Sequence, residues 1–274
     1  FKCHGVEQSG CRMILHLSDL HFGTEKIECI DAIRKFCDLH SPEAVVVSGD
    51  LTQRARFKQF YACKQFLESL QLPYLVIPGN HDIPLYHLWN RFFNPFRRYQ
   101  WFFGKMETVL ETEHFFVVGV NSIRRRYHTK GHISIEQIQY IDQILKNAPP
   151  HKLKLVVAHQ PFYSPPDDPH GIKDCPVLGK TALKMWGQSG LNGLLHGHLH
   201  QSAVYDLNLI YQLQSHHPIL EIHAGTATSY RLHQGLPNSF NVIENNMDVT
   251  PYYFSEQLQE FVIDQTKQGL IVKA

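Results

Sequence analysis

Ala44-Val45-Val46-Val47-Ser48-Gly49-Asp50 is the stretch on which the fold turns. The run from Ala44 to Ser48 lacks the polar alternation of a half-exposed strand, so it belongs inside a sheet that is covered on both faces. Gly49-Asp50 closes it with a turn residue and a carboxylate. Upstream, Ile14-Leu15-His16-Leu17-Ser18 is a second short strand, ending at Asp19. Between the two, Ile27, Ile30, Ile33 and Cys37 keep a helical period within residues 26–40. Downstream, Phe57, Phe60, Tyr61, Phe66, Leu67 and Leu70 mark a second helix, and Tyr74-Leu75-Val76-Ile77 is a third strand stopped by Pro78-Gly79. Strand, helix, strand, helix, strand is the order of a parallel α/β unit.

Working further outward, residues 115–120, 153–158 and 191–195 read as strands. Ser134-x-x-Gln137 has the form of a capping box opening a helix that runs to about Lys146. Beyond His200, residues 219–224, 239–244 and 249–254 read as strands, with Asn245-Asn246 as a turn between the last two. No helical pattern separates these three, so an antiparallel section is expected. The chain shows no repeat and no linker. One domain is expected over residues 13–274, with two sheets packed together and helices outside; residues 1–12, just before Met13, read as a flexible extension.

With 26 Lys and Arg against 25 Asp and Glu in 274 residues, no global field favours nucleic acid or an anionic membrane as partner. No apolar run approaches the length of a membrane-spanning helix, and the first dozen residues lack the apolar segment of a signal peptide. Cys3, Cys11, Cys29, Cys37, Cys63 and Cys175 form no C-x-x-C pair, which suits free thiols in a reducing compartment, the cytoplasm. Histidine is the outlier at 19 residues, and it is the commonest transition-metal ligand. About half of them, among them His4, His128, His151 and His233, are expected at the surface.

Five other histidines fall in a pattern with Asp and Asn. Asp19-x-His21, Gly49-Asp50, Gly79-Asn80-His81-Asp82, Ala158-His159 and Gly197-His198-x-His200 each follow or end a strand. Open α/β sheets bind ligands at the carboxyl ends of their strands. A strand-end D-x-H or H-x-H places both side chains on one side. Nitrogen and oxygen donors with no thiolate suit two divalent metal ions, manganese, iron or a catalytic zinc.

These five clusters, in this order across residues 14–200, resemble the calcineurin-like metallophosphoesterases. The resemblance implies a four-layer α/β/β/α sandwich of two mixed sheets flanked by helices. It implies that Asp19, His21, Asp50 and His200 hold one metal, and that Asp50, Asn80, His159 and His198 hold the other, so that Asp50 bridges. It further implies a hydroxide bridging the metals as nucleophile, with His81 as a non-ligand that faces the substrate. A leaving alkoxide needs a proton, and His81 suits the role of general acid. Asp82 either orients the His81 ring or braces the turn.

Departures from the pattern narrow the branch. Gly49-Asp50-Leu51-Thr52-Gln53 and the terminal Asp82 differ from the G-D-x-V-D-R-G and G-N-H-E of the Ser/Thr protein phosphatases. Gln53 stands where purple acid phosphatases carry a Tyr ligand. G-N-H-D with G-H-x-H resembles the cyclic-nucleotide phosphodiesterase-like (class III) branch. That resemblance implies a metal-dependent phosphodiesterase acting on a small, nucleotide-like phosphoester. A UDP-linked lipid pyrophosphate hydrolase or a nuclease of the same fold are alternatives, as is a non-catalytic scaffold.

Outside the clusters, Asn80, Arg54 and Arg56 are candidates to contact the substrate phosphate, the two arginines as charge-assisted donors. Residues 85–103 mix aromatics, including Trp89, Phe93, Phe96, Tyr99, Trp101 and Phe102, with Arg91, Arg97 and Arg98. That mixture suits a peripheral membrane contact, a base platform or an amphipathic helix pair packed on the domain. His196 and His223 fall near the sheet edge, where the ligand set is already full, and are assigned at most a supporting role. Gly225-Thr226 with Arg231 is placed at the rim.

Overall fold

The computed structural model describes residues 12–84, 93–127, 129–232, 235–263 and 271–272. The expected extension except Arg12, residues 85–92 of the aromatic and basic stretch, and His4, His128 and His233 lie outside the described residues. In chain order the strands are β1 (Met13–Leu17), β2 (Ala44–Val47), β3 (Tyr74–Val76), β4 (Val109–Glu111), β5 (Phe115–Gly119), β6 (Leu153–Val157) and β7 (Gly193–His196). They continue with β8 (Ala203–Asp206), β9 (Leu220–His223), β10 (Ser239–Glu244), β11 (Val249–Ser255), β12 (Glu260–Ile263) and β13 (Ile271–Val272). The helices are α1 (Ile27–His40), α2 (Phe57–Ser69), α3 (Arg97–Phe103), α4 (Ile135–Asn147), α5 (Pro169–Asp174), α6 (Gly179–Gln188) and α7 (Leu207–Tyr211).

Two mixed sheets result. The first has the order β12-β11-β10-β1-β2-β3, with β2 parallel to both β1 and β3 and the last three strands added antiparallel beyond β1. The second has the order β13-β8-β9-β7-β6-β5-β4, parallel from β5 through β6 and β7 to β9. The strand at 219–224 is therefore not part of the antiparallel section expected for it. It becomes β9, which slots beside β7 in the second sheet, because β8 and α7 carry the chain out and back before it.

Strand alternation sorts the core into three layers of contact. Ile14, Ala44, Val46 and Leu75 of the first sheet meet Phe115, Val117, Leu155, Leu195 and Ile222 of the second. The opposite face of the first sheet, with Leu15, Leu17, Val45 and Val47, packs on Cys29, Ile33, Phe60 and Phe66 from α1 and α2. Val118, Val156 and Leu194 pack on Ile138, Ile141, Leu183 and Trp186 from α4 and α6. Each such aliphatic side chain taken from water contributes roughly 1.5–3 kcal/mol. The order helices, sheet, sheet, helices is the four-layer sandwich expected.

Local signals hold where they were strong. Ser134 Oγ accepts from Gln137 N at 3.2 Å while Gln137 Oε1 accepts from Ser134 N at 3.0 Å, the reciprocal cap that starts α4. In the described part of the aromatic stretch, α3 turns Tyr99 and Phe102 into the core and leaves Trp101 exposed. That is the pattern of an amphipathic helix packed on the domain. No helix among the described residues is long and apolar enough to cross a membrane.

Candidate metal centre

The ends of β1 and β2 continue as paired loops beyond the strands. Asp19 N donates to Gly49 O at 3.1 Å, His21 N to Asp50 O at 2.9 Å and Phe22 N to Leu51 O at 3.0 Å. These bonds hold Asp19, His21 and Asp50 together. The chain turns sharply there: Asp19 (φ 51°), His21 (φ 47°), Asp50 (φ 51°), His198 (φ 66°) and His200 (φ 56°) all adopt left-handed backbone. Residues with side chains hold that conformation at a cost of about 1–3 kcal/mol each and cluster at functional sites. Gly197 lets the loop carrying His198 and His200 approach closely, since a Cβ there would lie 1.8 Å from Ser18 Oγ and 2.3 Å from Asp19 Oδ2.

Ligating atoms of Asp19, His21, Asp50 and His200 lie within 4.8 Å of one another. His200 Nε2 is 3.1 Å from Asp19 Oδ1, and His21 Nε2 is 3.4 Å from His200 Nε2 and 3.7 Å from Asp50 Oδ2. On the other side, His159 Nε2 is 3.5 Å from Asp50 Oδ1 and 3.0 Å from Asn80 Oδ1. The His198 ring stands 5.1 Å from that of His159. Asp50 thus presents one oxygen to each group.

Hydrogen bonds set which ring nitrogen is available. His159 Nδ1 is 2.8 Å from Ser48 O, so Nδ1 carries the proton and Nε2 keeps its lone pair; His200 Nδ1 is likewise held, 3.3 Å from Arg231 O, while Asp19, against the effect of burial, raises the pKa of the His200 ring. His198 is held the other way, with Nε2 2.7 Å from Asp174 Oδ2.

The electrostatics call for cations. Burial, with Asp19 and Asp82 nearby, raises the Asp50 carboxyl well above the usual range. Burial also lowers His159 to about 3 and pushes His21 well below the ordinary imidazole range, so both rings are neutral donors. Burial opposes ionisation of Asp19 as well, but the neighbouring His200, whose own pKa is raised, outweighs it and holds that carboxyl low. Among the described residues, buried Asp19 Oδ1 finds no hydrogen-bond partner. An unpartnered carboxylate oxygen and neutral imidazoles converging in a buried space fit divalent transition ions.

Asn80, His81 and Asp82 form a single 3₁₀ turn after β3. His81 N donates to Asp50 Oδ1 at 2.8 Å, which pins this turn to the centre. The His81 ring meets that of His21 edge-on at 4.9 Å, and its Nδ1 lies 3.1 Å from Gln53 O, leaving Nε2 open. Burial lowers His81 to about 4, against the hydrogen bond to Gln53. Asp82 does not touch that ring through any of its hydrogen bonds. Its Oδ2 accepts from Leu51 N (3.0 Å) and Gly79 N (2.9 Å), and its Oδ1 from Thr52 N (2.9 Å) and Thr52 Oγ1 (2.8 Å). Of the two roles expected for Asp82, these are the bonds of a brace.

A cavity of about 1020 Å³ opens beside His198 and His200, lined further by Asp167, Asp174, Tyr205, Tyr230 and Arg231. Arg231 Nη1 donates to Gln53 Oε1 at 3.1 Å, placing this cation over the loop that carries His81's partner. Arg54 and Arg56 are not in the cavity wall; their backbone N–H groups are held by Gln59 Oε1 at the start of α2. Asp174 was missed in the sequence, because nothing in its local pattern marks a residue that reaches His198 from α5.

Residues 12–202 match the family model of the calcineurin-like phosphoesterases, and the chain belongs to that family. Over 164 residues it is 25% identical to a probable glycerophosphodiester phosphodiesterase GpdQ of Arcobacter nitrofigilis, a match covering 54% of this chain and 57% of that protein. Over 213 residues it is 25% identical to the 3',5'-cyclic adenosine monophosphate phosphodiesterase CpdA of Escherichia coli, covering 71% of this chain and 72% of that one. In fold it is similar to a dimetal phosphatase from Danio rerio, with TM-score 0.61 at 12% identity over 89% of this chain and 96% of that one. A purple acid phosphatase from yellow lupin seeds aligns with TM-score 0.64 at 13% identity, over 93% of this chain and 53% of that one.

Proposed function

We propose that the chain is a metal-dependent phosphodiesterase that takes two divalent cations and hydrolyses a small phosphodiester. The observation that carries this reading is the Asp50 carboxylate, with Oδ2 toward His21 and Oδ1 toward His159. Asp19, His21, Asp50 and His200 would hold one cation, and Asp50, Asn80, His159 and His198 the other. When bound, the pair supplies Lewis acidity to the phosphoryl oxygens and lowers the pKa of coordinated water. The all-nitrogen-and-oxygen donor set favours manganese or iron, with zinc as the other candidate.

The chain's own groups do the remaining work. Asp50 fixes the spacing of the two ligand groups and, through His81 N, the position of the turn bearing His81. His81 Nε2 is the proposed proton donor to the leaving alkoxide. That role needs the ring protonated when the alkoxide departs; burial works against it, and an anionic diester entering beside the ring works for it. Arg231 is positioned to neutralise a phosphate oxygen from the cavity side. The cavity has room for a nucleoside or glycerol moiety on the alcohol side. The Arcobacter and Escherichia relatives are both named for diesters, which favours a diester over a monoester. Buried Cys29, Cys37 and Cys63 are free thiols, which favours a reducing compartment such as the cytoplasm.

The test is metal analysis of the loaded chain together with hydrolysis of bis-p-nitrophenyl phosphate. About two transition ions per chain that chelation removes, and turnover that depends on them, are expected. A loaded chain that binds fewer ions and leaves the diester intact overturns the reading. A panel of cyclic nucleotides, glycerophosphodiesters and UDP-linked lipids then sorts the substrate.

A further inference from the structure

A second group of ligand-type side chains lies in the interior, outside the seven donors already described. His196 ends β7, and Glu221 and His223 lie two apart on β9, where the parallel register sets His196 beside His223. All three are fully buried, and ligand atoms of the three lie within 4.8 Å of one another. We propose that His196, Glu221 and His223 bind a third divalent ion, zinc by the donor set, as an interior structural centre.

The geometry is that of donors sharing a point. His196 Nε2 comes within 3.0 Å of Glu221 Oε1, yet the pair makes no hydrogen bond, because the oxygen lies off the ring N–H direction. His223 Nε2 is 4.0 Å from the same oxygen. Two donors on one tetrahedral zinc, each at about 2.1 Å, stand roughly 3.4 Å apart. The observed separations bracket that value. His196 Nδ1 lies 3.0 Å from Gly197 O, which places the ring proton on Nδ1 and leaves Nε2 as the ligand atom.

The orphaned atoms point the same way. His196 Nε2, Glu221 Oε2 and both nitrogens of His223 have no hydrogen-bond partner among the described residues. Each buried polar group left unsatisfied costs about 1–3 kcal/mol, and so many in one small volume demand a cause. A single ion held between the two rings and the Glu221 carboxylate accounts for both Nε2 atoms. Glu221 Oε1 accepts backbone N–H groups from Phe162, at 2.6 Å, and Tyr163, at 3.2 Å, which orient the carboxylate as outer groups orient metal ligands. Tyr205 packs beside His223 with ring centroids 5.0 Å apart.

An ion here ties three segments that the open centre depends on. His196 leads directly into His198 and His200. Glu221 holds the loop just after His159. His223 precedes the turn that ends at Arg231. The proposed ion is inert toward substrate and positions the loops that carry the other ligands. It does not rest on the phosphodiesterase reading.

The experiment uses the whole chain produced in zinc-containing medium, dialysed exhaustively against EDTA and then counted for metal. The open centre should be stripped, while about one zinc equivalent per chain stays. Asp50→Asn, which disables the open centre, is expected to keep that equivalent, and His223→Gln to lose it. The proposal fails if the unaltered chain holds no chelator-resistant metal, if Asp50→Asn removes the retained ion, or if folded His223→Gln retains it. The first two arms do not require the His223 variant to fold.

Discussion

Asp174 grips His198 by its outer nitrogen, with Oδ2 2.7 Å from Nε2, and so leaves Nδ1 as the ring atom free to ligate. The carboxylate is itself held by Thr129 Oγ1 at 2.6 Å. Burial works to raise the Asp174 carboxyl, but these two hydrogen bonds prevail and keep it below the usual range, so it stays ionised. Carboxylates behind metal-binding imidazoles typically contribute 10- to 100-fold in affinity or activity. Asp174→Asn should weaken metal binding by about that factor with little change in the fold. A metal titration of the variant checks it; affinity within a factor of about two of the unaltered chain removes the role from Asp174.

Asp50 faces opposite requirements with and without cations. In the metal-free chain it is a buried carboxylate beside Asp19 and Asp82, with its pKa raised. Asp50→Asn removes that burden while keeping an acceptor for His81 N. The variant should therefore melt at a higher temperature than the unaltered chain after chelation, yet lose metal loading and diester hydrolysis. Thermal melts of the chelated proteins decide the first part, and metal analysis decides the second.

His81 and Asp82 are neighbours with different work, and substitution should separate them. His81→Ala is expected to slow hydrolysis of diesters with poor leaving groups by about 10²–10⁴-fold and to spare an activated nitrophenyl ester. Asp82→Asn keeps one accepting oxygen and sets an NH₂ group against backbone or hydroxyl donors on the other side. It should lower stability by about 1–3 kcal/mol without changing the preference between leaving groups. Equal losses on both kinds of ester in His81→Ala would remove the acid assignment.

His16 gives the fold an acid-sensitive element. It is fully buried between the sheets, with Nε2 2.9 Å from Ser48 Oγ, and burial, with His196 adding to it, lowers it from 6.5 to about 3. The unfolded chain therefore binds the proton more readily between those two values. Stability from the neutral ring is fully present above pH 6.5 and is lost as pH falls toward 3. Relative to His16→Gln, the unaltered chain should lose about 2 kcal/mol between pH 7 and pH 5. Denaturant melts of both proteins at the two pH values measure the difference.

Much of the fold and site was legible because the signals were local. The unbroken apolar run of β2, the capping box of Ser134 and the strand-end positions of Asp19, Asp50, Asn80, His159 and His198 all lie within a few residues of what they predict. The short elements were not legible. β8 and α7 are four and five residues long, too brief for a period to register, and their presence redirects β9 into the second sheet. Arg54 and Arg56 follow Asp50 closely in sequence, yet neither lines the cavity beside His198 and His200.

The sequence alone determined the order of the ligand-type residues and the strand ends that carry them, because backbone periodicity ties a residue's place in a strand to its neighbours. Only the tertiary structure decided who touches whom across the chain. Asp174 behind His198, Arg231 on Gln53, the shared carboxylate of Asp50 and the approach of His196 to Glu221 and His223 join positions from 24 to 178 residues apart. Such pairings arise from the packing of two sheets, which leaves no period in the sequence to read.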